Sequence, residues 1–228
     1  LKPQMLVPGS WAGAISHAQP EQRQLWFENY SREIIDYARF ASEHGVQAFV
    51  IGTELSGIAG QVDWTLLINE LRRVYRGKLT YAAHNIEGVK KFRHWDKLDA
   101  VALTLYPTLG LSGDKEEMRD HVEAVSARLE AVAQSYKRPL WVLEVGMPSA
   151  RGASEKPWEW HHLKHAKVDL ELQKDALDVW LQALDRPWVD GVFIWAWYSD
   201  ITSGGMSDAD YTPQNKPAEY IIRRYWTS

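Results

Sequence analysis

Two short stretches each carry an apolar, β-rich run into a single acid. VIGTELSG at residues 50–57 ends in this way on Glu54, and WVLEVGMPS at residues 141–149 on Glu144. Small residues and a turn follow each acid at once. Two carboxyl groups presented to one substrate can cleave a glycosidic bond, one as the protonated acid and the other as nucleophile or base. They need different pKa values, which different neighbours supply. The plainer alternative is that each glutamate caps the next helix or pairs with an arginine. Aromatic residues favour the first reading, because the C–H faces of sugar rings stack on indole. The segment DGVFIWAW, residues 190–197, carries Trp195 and Trp197. The stretch EWHHLKH places His161 and His165 at i, i+4, with His162 between them. It lacks the glutamate of HExxH and any evident third ligand, so it reads as a solvated loop or helix start and no metal is expected. No GxSxG turn supports a serine hydrolase.

The elements that must position these residues alternate between strand and helix. Near-continuous apolar runs at 1–7, 46–52, 78–83, 99–106, 139–146 and 190–197 predict six strands covered on both faces, the pattern of a parallel sheet. Helices are predicted over 21–44, 62–76, 114–136, 169–185 and 216–226. The first carries Phe27, Tyr30, Ile34, Tyr37 and Ala41 at helical spacing and ends at Gly45; the third opens with Asp114 and Glu117 as a capping box. No glycine-rich phosphate turn follows any strand, which leaves a nucleotide-binding doubly wound sheet without its main support. Polar residues instead stand at strand ends: Gln4, Glu54, His84 with Asn85, Tyr106, Glu144, and Trp197 followed by Asp200. In a (β/α) barrel the C-terminal strand ends converge on one site. The predicted fold class is therefore α/β of the (β/α) TIM-barrel type. The loop 147–168, with Trp158 and Trp160, either walls a cleft or folds back over the barrel rim, and the Gly-, Ser- and Asp-rich stretch 199–213 reads as a mobile loop.

Composition bounds the rest. A chain of 228 residues with 45% hydrophobic content suits one large domain, residues 1–228. A net charge of -4 with both signs interspersed offers no basic stripe, so no nucleic-acid partner is expected. No apolar run approaches the ~20 residues of a membrane helix. The first residues lack the regions of a signal peptide, no membrane partner is expected, and the chain reads as soluble. The absence of cysteine excludes disulfides and thiolate metal sites and leaves the compartment open. Twelve tryptophans, against ten tyrosines and five phenylalanines, suggest a surface that stacks on something flat, with core packing as the alternative for each one.

The stretches LKPQMLVPGSWAGAI, FVIGTEL, LTYAAHN, ALTLYPTLG, WVLEVGMPSA, GVFIWAWY and DYTPQNKPAEYIIRRYW resemble, in that order, the family 113 glycoside hydrolases. These are retaining endo-β-mannanases with a (β/α)8 barrel of clan A. The resemblance implies Glu54 as acid/base and Glu144 as nucleophile, with no cofactor. It implies a polysaccharide or oligosaccharide substrate contacted by Lys2, Gln4, Trp11, Thr53, Tyr81, His84, Asn85, Tyr106, Trp195 and Trp197. In the clan a tyrosine near the position of Tyr106 hydrogen-bonds the nucleophile. The resemblance also favours a secreted or periplasmic protein. It equates LKPQMLV with the third barrel strand, so the chain holds six βα units, equivalent to strands 3 to 8, and lacks the first two. Three readings follow: a piece of a longer protein, a barrel completed by another chain, or a fold adapted to six units. Open sheet edges would also favour self-association. Thr53, His84, Thr104 and Ala196 stand where the clan or family shows Asn, Asn, Asp and Lys, which bears on substrate choice and activity. The alternative function is a non-catalytic carbohydrate-binding protein that kept the aromatic cleft.

Overall fold

The computed structural model describes residues 1–160 and 163–227. Its elements alternate as the apolar runs require. In chain order they are α1 (Pro20–Glu43), β1 (Ala48–Thr53), α2 (Thr65–Val74), β2 (Lys78–His84), α3 (Asn85–Lys91), β3 (Val101–Leu105), α4 (Lys115–Tyr136), β4 (Leu140–Val145), α5 (Leu170–Leu184), β5 (Val189–Ile194) and α6 (Pro217–Trp226). The strands are hydrogen-bonded in the order β1-β2-β3-β4-β5. The pairs β1–β2 and β2–β3 are parallel. A sheet whose spatial order repeats its chain order has no reversal point, which separates it from the doubly wound sheets and makes it a run of barrel-type units.

Contacts group the chain into two compact units, Leu1–Thr104 with Val132–Trp141, and Leu105–Ala131 with Val142–Ser228. The first unit is built on aromatic packing. Tyr81 and Phe92 stack at 4.3 Å, and Trp64 meets both edge-on. The Trp64 indole N–H donates to the carbonyl of Ala59 at 3.0 Å and that of Trp95 to Val89 at 2.9 Å, so neither polar atom is left unpaired in the core. Gly52 makes this packing fit: a Cβ there would lie 3.0 Å from both Trp64 and Tyr81. These fully buried indoles, with Trp180 in the second unit, serve as core rather than as a stacking surface. Helix α1 buries Phe27, Tyr30, Ile34, Ala38 and Ala41, each large side chain contributing about 1.5–3 kcal/mol. The helix stops where Gly45 takes φ 64° and the Val46 N–H reaches back to the carbonyl of Ala41, the Schellman arrangement.

In the second unit Leu177 and Leu181 of α5 pack on Ala218, Ile221 and Ile222 of α6. Asp114 caps α4 by accepting from the N–H groups of Glu116 and Glu117, at 2.9 and 3.3 Å. The expected return contact of the capping box is absent from that geometry. The Glu117 carboxylate instead accepts from the N–H groups of Leu111 and Ser112 and from the Ser112 hydroxyl.

Three expectations for the elements need correction. Residues 1–7 are not a strand. The Leu1 amino group donates to Ala48 O at 2.7 Å and Leu1 O accepts from the Val50 N–H at 3.0 Å, but Pro3 has no N–H with which to continue a ladder. The segment 190–197 is not covered on both faces, for no residue of β5 is fully buried and Phe193 is 54% exposed. The stretch 199–213 is held rather than loose. Gln214 Nε2 donates to the carbonyls of Tyr198 and Asp200, and Asn215 Nδ2 to those of Ile201 and Ser203.

Candidate active site

Strand β1 ends one residue before Glu54, whose backbone turns into the left-handed region at φ 55°. A non-glycine residue held there costs on the order of 1–3 kcal/mol. The ladder contact survives, since the Glu54 N–H donates to Ala82 O at 2.8 Å. The register between β1 and β2 shifts between Val50 and Thr53. Beyond that bend the carboxylate meets the ends of two further strands. His84, the last residue of β2, pairs in register with Thr104 of β3. His84 Nδ1 lies 3.1 Å from Glu54 Oε1, and the Thr104 hydroxyl donates to the same oxygen. Asn85, also left-handed at φ 54°, brings its amide nitrogen to 3.0 Å from His84 Nε2. The Trp11 ring lies against the imidazole, with centroids 4.7 Å apart.

Opposing effects set the charge of Glu54. Burial pushes its carboxyl pKa up. The hydrogen bonds from His84 and Thr104, with the charge of Lys2, push it down and win, leaving it below the ordinary carboxylate value.

The second unit carries the other carboxylate. Glu144 is buried on β4, and the Tyr106 hydroxyl donates to its Oε2 at 2.9 Å. The Tyr211 ring stands edge-on to Tyr106 at 6.3 Å, and its hydroxyl donates to Pro157 O. Gly146, two residues on, admits no side chain, because a Cβ would lie 2.2 Å from the Trp195 carbonyl oxygen. That contact and the bond from Trp195 N–H to Val145 O, 2.9 Å, fix where the tryptophan strand end begins. The peptide bond between Trp195 and Ala196 is cis. Trp195 and Trp197 are both exposed.

The structure therefore gathers Glu54, His84, Asn85 and Trp11 in one unit, with Lys2 acting through its charge, and Glu144 with Tyr106 in the other. Gln4 is exposed and lines a groove with Pro3, Met5, Trp26 and Tyr30. Two residues expected to touch substrate do not suit it. Tyr81 is 1% exposed and belongs to the aromatic core, where burial pushes its phenol pKa well up. Thr53 is 2% exposed and its hydroxyl is spent on Pro3 O at 2.9 Å, holding the N-terminal segment. Of the histidines in EWHHLKH, His161 and His162 lie outside the described residues, and His165 ends a 3-10 helix, Leu163–His165. Among the described residues no group of three or more His, Asp or Glu side chains is placed to hold a metal ion.

Two features beyond the sequence reading complete the picture. Thr104 stands out in sequence only as a departure, yet it binds Glu54. Lys216, whose side chain is 0% exposed, donates to Asp208 Oδ2 at 2.9 Å, to Asp210 O at 2.8 Å and to Ser149 Oγ at 2.9 Å. It ties the loop after Glu144 to the stretch before α6. Burial lowers its pKa more than the Asp208 carboxylate raises it.

Several solved structures share this fold. A complex structure of a GH113 β-1,4-mannanase matches with a TM-score of 0.82 and 28% identity over 100% of this chain and 72% of its own. The GH113 β-mannanase AaManA from Alicyclobacillus acidocaldarius, in complex with ManMIm, matches with a TM-score of 0.77 and 26% identity over 96% of this chain and 69% of its own. A β-glucuronidase of Faecalibacterium prausnitzii, at 16% identity and a TM-score of 0.61, shares the fold alone over 87% of this chain and 34% of its own. None of the curated proteins matches the chain. The fold thus defines a partial (β/α) barrel of TIM-barrel type with glycoside hydrolases as its structural relatives. The chain belongs to Glycoside Hydrolase Family 113, whose model matches residues 1–216.

Proposed function

We propose that this chain carries the catalytic machinery of a retaining glycoside hydrolase that cleaves within β-1,4-linked mannan. In that reaction Glu144 attacks the anomeric carbon and the bond to the leaving oxygen breaks as Glu54 gives that oxygen a proton. Glu54, now the base, takes a proton from water, whose oxygen displaces Glu144 from the glycosyl-enzyme. The observation that carries the reading is the asymmetry between the two acids. Glu144 receives a tyrosine hydroxyl, which favours an oriented carboxylate, the state a nucleophile needs. Glu54 is held at one oxygen, Oε1, by side chains from two neighbouring strands. Family membership and the mannanases among its solved relatives support the substrate class. Retention further requires the two carboxyl groups to stand about 5–5.5 Å apart when substrate is bound.

Trapping tests the assignment. A 2-deoxy-2-fluoro-β-mannosyl fluoride slows both steps and accumulates the covalent intermediate. Peptide mapping by mass spectrometry is expected to find the sugar on Glu144. A label on Glu54 would reverse the roles, and turnover of mannan that inverts the anomeric centre would remove the nucleophile altogether.

A further inference from the structure

The surroundings of Glu54 contain a proton-ordered pair. His84 has two ring nitrogens with different partners, Glu54 Oε1 at 3.1 Å from Nδ1 and the Asn85 amide nitrogen at 3.0 Å from Nε2. An amide NH2 group only donates, so Nε2 must accept. Nδ1 therefore carries the hydrogen and donates it to the carboxylate. This is the less common tautomer of a free imidazole, and here Asn85 selects it. The left-handed backbone at Asn85 and the Trp11 ring against the imidazole fix the geometry from both sides. Both side-chain donors to Glu54, His84 and Thr104, fall on Oε1, and neither engages Oε2.

We infer that His84, locked by Asn85 as the Nδ1–H tautomer, is the positioning residue that fixes both the orientation and the charge of Glu54, binding Oε1 and leaving Oε2 to exchange the proton with substrate. The inference rests on the reading of Glu54 as the acid/base. Among the described residues the charged and titratable groups that act on the carboxylate are His84 at the end of β2 and Lys2 on the N-terminal segment, and the Tyr81 phenol senses its charge. His84 and Thr104 donate to the ionised form, and Lys2 adds its charge to that preference. Glu54 accordingly gains its proton at Oε2, from solvent, and passes it to the leaving oxygen as the C–O bond breaks.

Nuclear magnetic resonance on the chain labelled with 15N-histidine reads the tautomer without any turnover. The His84 signals are identified by their loss in His84→Phe, which keeps a ring beside Trp11 and removes both nitrogens. At neutral pH the expected pattern is a protonated Nδ1 and an unprotonated Nε2, shifting toward the common Nε2–H form in Asn85→Ala. A protonated Nε2 in the parent protein, in either the neutral or the doubly protonated ring, would overturn the inference. Carboxyl 13C titration gives the second arm. The Glu54 midpoint is expected to rise by about one pH unit or more in His84→Phe and to return part of the way in His84→Asn, which retains a donor. An unmoved midpoint would contradict the charge-setting role. Failure of mannan hydrolysis with the tautomer and titration as expected would instead count against the acid/base reading of Glu54 and leave the pair itself standing.

Discussion

A carboxyl group that must donate a proton starts at a disadvantage when its neighbours favour the ion, and the proposed acid/base role puts Glu54 in that position. Its pKa is lowered because the donors and charges around it outweigh its burial. A group with a lowered value loses its proton at lower pH than usual. The fraction of free protein carrying protonated Glu54 therefore falls as pH rises through that lowered value. The kcat/KM profile on mannan is expected to be highest at the acid end and to decline as pH rises through a value below the ordinary carboxylate one; a plateau reaching to neutrality would contradict this. Tyr106→Phe removes one hydrogen bond to a charged group, worth about 1.5–3 kcal/mol, so kcat is expected to fall by about 10- to 100-fold, with a smaller change in KM. The two acids were legible in the sequence because each interrupts a β run at its end. Their partners were less so. Thr104 reaches Glu54 only through the β2–β3 register that sets it opposite His84. Tyr81 was legible in principle, for it precedes His84 by three positions, and alternate residues of a strand face opposite sides.

At the scale of elements, five of the six strands predicted from apolar runs, and all five predicted helices, lie close to their observed bounds. The short helix α3 escaped because its seven residues carry too little periodicity to separate it from a loop. Residues 1–7 were read as a strand from their apolar content, although Pro3 interrupts the donor pattern. An ion cluster joins α4, α5 and α6. Asp178 accepts from Lys115 at 2.8 Å, from Arg224 and from the Tyr225 hydroxyl at 3.3 Å. Burial raises its carboxyl pKa, but Lys115 and Arg224 lower it further, and the net value lies below the usual one. Such a group adds stability that is fully present above its unfolded value, about 3.9, and is lost as pH falls through the lower folded value. Asp178→Asn is expected to flatten the decline of Tm below about pH 4, measured by scanning calorimetry against the parent. Gly146→Ala drives a methyl group into the Trp195 carbonyl. Such overpacking costs about 1–3 kcal/mol and should appear as a lower Tm together with reduced mannan turnover. An unchanged Tm would show that the strand end yields freely.

At the scale of the molecule, the sequential strand order and the family match agree on a partial barrel. This was legible because strand–helix alternation without a phosphate turn leaves few architectures. The division into two compact units was not legible, since it depends on which contacts close between segments distant in sequence. The chain spans 72% and 69% of the two mannanase structures described above. Whether the units present here suffice for catalysis is therefore tested on the chain itself. The most direct measurement is reducing-end release from β-1,4-mannan by this protein, followed by proton NMR of the first-formed anomer, with Glu144→Gln alongside. Early β-anomer from the parent and none from the variant is the predicted result. Early α-anomer, or equal release by Glu144→Gln, would contradict the assignment of Glu144 as the nucleophile of a retaining enzyme.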